Sequence, residues 1–324
     1  MVGLPGPLPD EGLSRPLASP PDCVSPLRGS LWRVPMSNAL RVAHGVFGRV
    51  ALLDMDRQLV RHAHPHCHVL LKVEGADTQF AVRDAIAPLT DANAVLINAW
   101  EPHAYAHDPR RPRTIILALY IEPSWLKTFR PNWSASGAPG FFDLATGELS
   151  PRICKLRDDL AAAMVNAPEA AAEHEALLAD LMIAVIERFT PWQTISTSLR
   201  ALAQHNVVDP RIRRSIELMR SAPAEIRDMD ALARESGLSR AQFFRRFESS
   251  IHVPPRVFLN MLRMELAVSA VVDGTESFAA IGDRLGFSAP AHFTRFFRDH
   301  AGSCPSEFRS VALGRHAPAG QPRH

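Results

Sequence analysis

The stretch "ARESGLSRAQFFRRF" (Ala233–Phe247) returns in altered form as "GDRLGFSAPAHFTRFF" (Gly282–Phe297). In the first copy, Asp230 is a plausible cap for a short helix. Gly237 ends that helix, because a glycine takes the left-handed conformation there without steric cost. Ser239 then caps a second helix, "RAQFFRRFES". In the second copy Ser277 caps "FAAIGDRL", Gly286 ends it, and Ser288 caps "APAHFTRFFRD". Two short helices joined by a tight glycine turn make a helix-turn-helix. The copies align with Leu232 on Ile281 and Gly237 on Gly286. After a single inserted residue, Phe243 falls on Phe293, Arg245 on Arg295, Phe247 on Phe297, Pro255 on Pro305 and Phe258 on Phe308.

This register separates core from surface. Phe243 and Phe247 share a helix face, as do Phe293 and Phe297, and these faces are expected in the core. Arg245 and Arg295 fall on the opposite face of the same helices. An exposed Arg on the second helix of such a motif is placed to enter the major groove, where its fork matches guanine O6 and N7. The bland alternative is a solvated helix face, and two copies with matched core, turn and Arg weigh against it. Between the copies, "PPRVFLNMLRMELAVSAVV" reads as a helix apolar on more than one side. It is long enough to hold both units at a fixed spacing, near one turn of the duplex or about 34 Å.

The 324-residue length is that of two domains, and 46% hydrophobic against 22% charged residues supplies an ordinary core. No apolar run reaches the roughly 18 residues of a membrane span, and no membrane partner is expected. The N-terminus lacks the basic start and apolar stretch of a secretory signal. Four scattered cysteines without a C-x-x-C pair fit a reduced, cytoplasmic setting. A net charge of only +2 does not by itself announce nucleic acid.

The expected fold class is α+β multidomain. A Pro-rich disordered tail covers 1–35. A cupin-like β-barrel covers 36–125, where "RVALLDMD", "HVLLKVEG", "TQFAVRD", "NAVLINAW" and "RTIILALYIE" read as short strands between turn residues. A helical connector covers 126–206. Its segment "EHEALLADLMIAVIERF" carries a broad apolar stripe from Leu177 to Phe189, expected to pack partly on the barrel and partly across a dimer. "QHNVVDP" (Gln204–Pro210) reads as a linker. An all-α domain with two helix-turn-helix units joined by a linker helix covers 207–312, with the units near 230–249 and 277–299. A second disordered tail covers 313–324.

Residues near 210–310 resemble the DNA-binding domain of the AraC/XylS family of transcription regulators. The resemblance rests on "DALARESGLSRAQFFRRF" and on "FAAIGDRLGFSAPAHFTRFFRDHAGSCPSEFR", with its G-F-S, F-x-R-x-F and G-x-x-P-x-x-F-R elements. It implies tandem units that read double-stranded promoter DNA. Carried across, the groove-facing positions are Arg240, Phe244 and Arg245 in the first unit, and Pro290, Ala291, Thr294 and Arg295 in the second. The caps Ser239 and Ser288 complete the DNA-facing set. Phe244 at such a position implies apolar contact with a thymine methyl. His252 stands where the family usually has Gly, and Gly282 where it usually has a small Ala.

In the N-terminal half, "VRHAHPHCHVLL" alternates His62, His64, His66 and His68, with His103 following in "INAWEPHAY". In a continuous strand all four would share one face, with His62 and His68 roughly 20 Å apart, so at most two neighbours plus His103 could meet one ion. Pro65 is expected to bend that strand. Cys67, on the opposite face, is expected in the core. The region resembles the small cupin barrel found in many members of the family. It implies a pocket for an organic effector, lined by His62, His64, His66, Trp100, Glu101, His103 and Tyr105. Imidazole also suits Zn, Cu, Fe and Ni. His64, His66 and His103 are the weaker metal candidates, and no metal or other cofactor is expected. A purely structural row is the third possibility.

The leading expectation is a ligand-responsive, sequence-specific DNA-binding transcription regulator, an activator rather than an enzyme. Its partners would be a small-molecule effector, RNA polymerase and a second copy of the chain. The alternative is a metal-dependent cupin enzyme with an appended DNA-binding module, which would need two His and a carboxylate such as Glu74 around open positions.

Overall fold

A computed structural model describes residues 38–108, 110–138, 140–190, 209–251 and 253–312. The two tails fall outside the described residues, as do His252 and most of the Gln204–Pro210 linker.

The N-terminal half is built on two antiparallel sheets. The larger contains β1 (Asn38–Gly45), β2 (Gly48–Met55), β3 (Cys67–Gly75), β6 (Asn93–Ile97), β8 (Thr114–Ile121) and β9 (Thr146–Glu148), in the order β1-β2-β8-β3-β6-β9. The smaller, in the order β5-β4-β7, contains β4 (Thr78–Val82), β5 (Ala85–Leu89) and β7 (His103–Tyr105). Every residue of β8 is buried, which explains why "TIILALYI" runs apolar without alternation: both its faces are covered. Val50, Leu52, Leu117 and Leu119 face one core with Trp125 and Trp133. Ala51, Leu53, Ile116 and Ala118 face a second core with Phe80 and Leu89 of the small sheet. Cys67 is buried in the first of these cores, as its place opposite the histidines predicts.

Helices α1 (Pro123–Phe129), α2 (Pro151–Asn166) and α3 (Ala171–Phe189) cover the outer face of the large sheet. The α3 stripe lies inside the chain: Leu178, Leu181, Met182, Val185 and Ile186 are buried, and Leu177 and Phe189 pack beside them. The expectation that the stripe packs partly across a dimer is therefore corrected, since its residues are buried within the one chain. The large sheet offers enough apolar surface to cover it.

The C-terminal half is helical: α4 (Pro210–Ser221), α5 (Met229–Glu235), α6 (Arg240–Ile251), α7 (Pro255–Asp273), α8 (Phe278–Arg284), α9 (Pro290–Ala301) and α10 (Pro305–Ala312). Helix α7 is the long helix between the repeats. Phe258 and Leu259 near its start join the first unit's core with Leu232, Phe243 and Phe247. Val268 and Val271 near its end join the second unit's core with Ile281, Phe293, Phe297 and Phe308.

The two halves are in contact. Cores run across the junction, with Ala63 in that of the first unit and the barrel interior continuous with that of the second. Trp100 stacks on Phe258 with centroids 4.8 Å apart and planes at 16°. The Val60 N–H donates to the Asp299 carbonyl at 3.3 Å, and α10 packs against β1.

Candidate nucleic-acid interface and a buried histidine cluster

In each unit the turn glycine adopts positive φ, +68° at Gly237 and +80° at Gly286. Ser239 and Gln242 form a capping box: the Gln242 N–H donates to the Ser239 hydroxyl, and the Ser239 N–H to the Gln242 side chain at 3.2 Å. Ser277 caps α8 as expected. Two expected caps shift. Asp228, not Asp230, caps α5 by accepting from the N–H groups of Asp230 and Ala231. Ala289 precedes α9, while the Ser288 hydroxyl bonds the His292 ring at 2.9 Å. Each shift places the helix start a residue or two away from the expected polar side chain.

Phe243, Phe247, Phe293 and Phe297 are fully buried. Ser239, Arg240, Arg245, Ser288, Pro290, Ala291 and Arg295 are exposed, and Phe244 and Thr294 are half-buried. Arg240 pairs with Asp230 and lies over the Phe244 ring, 5.0 Å from its centroid. Phe244 itself leans on the first unit's core. Among the described residues Arg245 and Arg295 have no ion-pair partner.

The histidine row does not form one strand. β3 begins only at Cys67. Upstream of Pro65 the chain crosses to β7, where the backbones of His62 and His103 bond each other at 2.8 and 2.9 Å. The expected roughly 20 Å spread therefore collapses. Ring centroids of His62 and His103 are 4.3 Å apart, those of His64 and His103 4.9 Å, and those of His64 and His68 4.7 Å.

The other expected pocket residues divide. His66 turns aside: its Nε2 bonds Glu122 at 3.0 Å, which holds that carboxyl below its usual range, and its Nδ1 lies 3.7 Å from Glu265. Glu101 spends its carboxylate on the Asn98 N–H at 2.8 Å and on Arg83. Tyr105 packs on Phe80 and bonds Thr78, away from the cluster. Trp100 faces α7 and adopts φ +65°.

Residues outside the expected pocket complete the surroundings. His68 stacks on Tyr120 at 4.2 Å, and Arg49 lies over that ring. Met264, Glu265 and His300 arrive from α7 and α9 and, with His62 and His64, line a cavity of about 20 Å³. No local signal could announce them, because they lie far along the chain. Burial lowers the proton affinity of the cluster: His68 and His103 are pushed down to about 3, and His62 and His64 well below the usual histidine value. Neighbouring imidazoles push each of them further in the same direction.

The architecture thus joins a two-sheet half to tandem helix-turn-helix units. Residues 50–182 match the AraC-like ligand binding domain, and residues 232–310 match a helix-turn-helix domain. Both halves are thus similar to those of AraC-type transcription regulators. An uncharacterised HTH-type transcriptional regulator of Haemophilus influenzae is 29% identical over 106 residues, 32% of this chain and 36% of that one. The HTH-type transcriptional regulator ArgR of Pseudomonas aeruginosa is 26% identical over 156 residues, 48% of this chain and 46% of the relative. The match thus spans less than half the length of either curated relative. The crystal structure of ToxT from Vibrio cholerae O395 superimposes with a TM-score of 0.48 at 11% identity, covering 86% of this chain and 98% of that one.

Proposed function

We propose that this protein is a sequence-specific DNA-binding transcription regulator whose DNA affinity responds to a ligand held in its N-terminal half. One observation carries the reading: two matched helices bury their Phe faces and present Arg245 and Arg295 outward, without ion partners among the described residues. Arg245 and Arg295 take base edges, and Ser239, Arg240, Phe244, Ser288, Pro290, Ala291 and Thr294 frame them against the backbone and thymine methyls. The contacts of Trp100 with Phe258 and of Val60 with Asp299 give an effector two routes to the DNA-reading units. Activation by contact with RNA polymerase, a homodimeric state and a cytoplasmic setting complete the reading. Any dimer face lies off the covered α3 stripe. The enzyme alternative is not favoured, because the group of donor side chains near His103 contains three histidines and no carboxylate among the described residues. Glu74 sits at the far end of β3.

The test is footprinting on the intergenic DNA beside the protein's own gene. Protection of two half-sites in successive major grooves, abolished by Arg245→Ala with Arg295→Ala, is the expected result. Equal affinity for that DNA and for random duplex would overturn the reading. Sedimentation of the full chain tests the dimer, with a mass of one chain at micromolar concentration counting against it.

A further inference from the structure

His62, His64 and His103 each bring one ring nitrogen within 4.8 Å of the other two. Around a tetrahedral zinc, with Zn–N near 2.1 Å, ligand nitrogens sit roughly 3.4 Å apart. Each ring therefore needs to move inward by less than about 1 Å to close on an ion.

The hydrogen bonds sort the nitrogens into donors and lone pairs. His62 Nδ1 donates to the Val60 carbonyl and His103 Nδ1 to the Glu101 carbonyl, both at 2.8 Å. That assigns the proton to Nδ1 in both rings and leaves each Nε2 as a bare lone pair. It is the outer-shell arrangement that orients metal-binding imidazoles and raises their basicity. Among the described residues, both ring nitrogens of His64 and the Nε2 of His103 are buried without a partner, on residues only 4% and 1% exposed. Orphaned buried nitrogens of this kind are costly and rare in folded proteins. The cavity that His62 and His64 line is about 20 Å³, far below the several hundred Å³ of a small-molecule pocket, so no organic effector reaches the His64 nitrogens from it. It does suit an ion with one water.

We propose that His62, His64 and His103 bind one divalent transition-metal ion of the zinc, nickel and copper class, and that this ion is the effector. The effector role rests on the regulator reading above. The site's position supports that role. The cavity beside His62 and His64 is also lined by Glu265 of α7 and His300 of α9, both in the C-terminal half. Each ligand segment also has a mechanical connection to a DNA-reading unit. The His64 carbonyl accepts from the Trp100 N–H at 2.7 Å, and Trp100 stacks on Phe258 beside the first unit. Val60, whose carbonyl orients His62, bonds Asp299 at the end of the second unit's reading helix. Drawing the three rings inward pulls on both connections.

The experiment uses the untagged full chain, stripped with EDTA and equilibrated with Zn2+. Metal content is measured after gel filtration, and affinity for the intergenic DNA with and without Zn2+. One ion per chain is expected, lost in His64→Asn with His103→Asn. A change in DNA affinity within the range of about 5- to 150-fold on loading is also expected. Should that double variant fail to fold by circular dichroism, His62→Asn, at the half-exposed ligand, makes the same comparison. Failure of the wild type to retain zinc, or equal retention by the variants, overturns the site. Zinc retained at the site with unchanged DNA affinity overturns the effector role. Specific DNA binding absent in both states, with the ion still bound through these histidines, defeats the regulator reading and the effector role while the metal site stands.

Discussion

Arg295 and Phe293 lie two positions apart and carry opposite duties. Arg295→Ala is expected to weaken binding to the cognate site by about 1–3 kcal/mol, the worth of a good bidentate base contact. Melting should be unchanged, since the side chain is exposed. Titration of cognate and random duplex checks this, and an equal loss on both would place the residue on phosphate instead. Phe293→Ala should cost about 3–5 kcal/mol of stability, as emptying a buried aromatic site does. Denaturant unfolding reads that cost directly. The opposition was legible from the repeat, because a helix period decides which residues share a face. The histidines were not legible in the same way. Their alternation holds only if the strand continues, and Pro65 stands where it fails. The partners of the cluster, Glu265 and His300, come from helices that no local pattern connects to it.

At the scale of elements, the two helix-turn-helix units share a turn but not its surroundings. Among the described residues a Cβ on Gly237 would meet nothing within 4 Å, whereas one on Gly286 would lie 2.4 Å from the Ala224 carbonyl. Gly237→Ala should therefore cost only the left-handed backbone, about 1–2 kcal/mol. Gly286→Ala should cost more, and the difference in unfolding midpoint between the two variants measures the clash. A midpoint for Gly286→Ala equal to that of Gly237→Ala would contradict this geometry. Gly282, standing where the family usually has Ala, has a comparable explanation, since a Cβ there would lie 3.1 Å from Phe293. Long apolar runs such as β8 were readable as strands. β5 was not: it is a short edge strand containing Pro88, tolerated only because an edge leaves the missing N–H without a required partner. The α3 stripe was seen as apolar, but pattern alone does not say which surface covers it.

At the scale of the whole molecule, the buried cluster makes stability depend on pH. Folded proton affinities of His62, His64, His68 and His103 lie below that of an unfolded histidine near 6.5, so the unfolded chain binds more protons in mild acid. Their contribution is complete above about pH 6.5 and is lost as pH falls toward 3. Asp54 opposes them: burial raises it to about 6, so the folded state gains from its protonation as pH drops. One carboxyl against four imidazoles leaves the histidines dominant. EDTA-treated protein should thus melt at progressively lower temperature from pH 7 to 5, and His64→Asn with His103→Asn should flatten the trend. Equal melting temperatures across that range would refute the prediction. Trp100→Ala removes the stack on Phe258 and should split a single calorimetric transition into two, one for each half.

The packing of α10 against β1 bears on how this chain can be dissected. β1 is an edge strand of the large sheet, and the last helix of the other half lies against it, with Val311 and Ala312 beside its core. A fragment that stops before α4 strips that cover and leaves a row of backbone N–H and C=O groups ready to accept a strand from another molecule. Such a fragment would self-associate through β1, a contact obstructed in the intact chain. Its oligomeric state would then be a property of the cut and would mislead anyone inferring the assembly of the intact chain from its isolated N-terminal half.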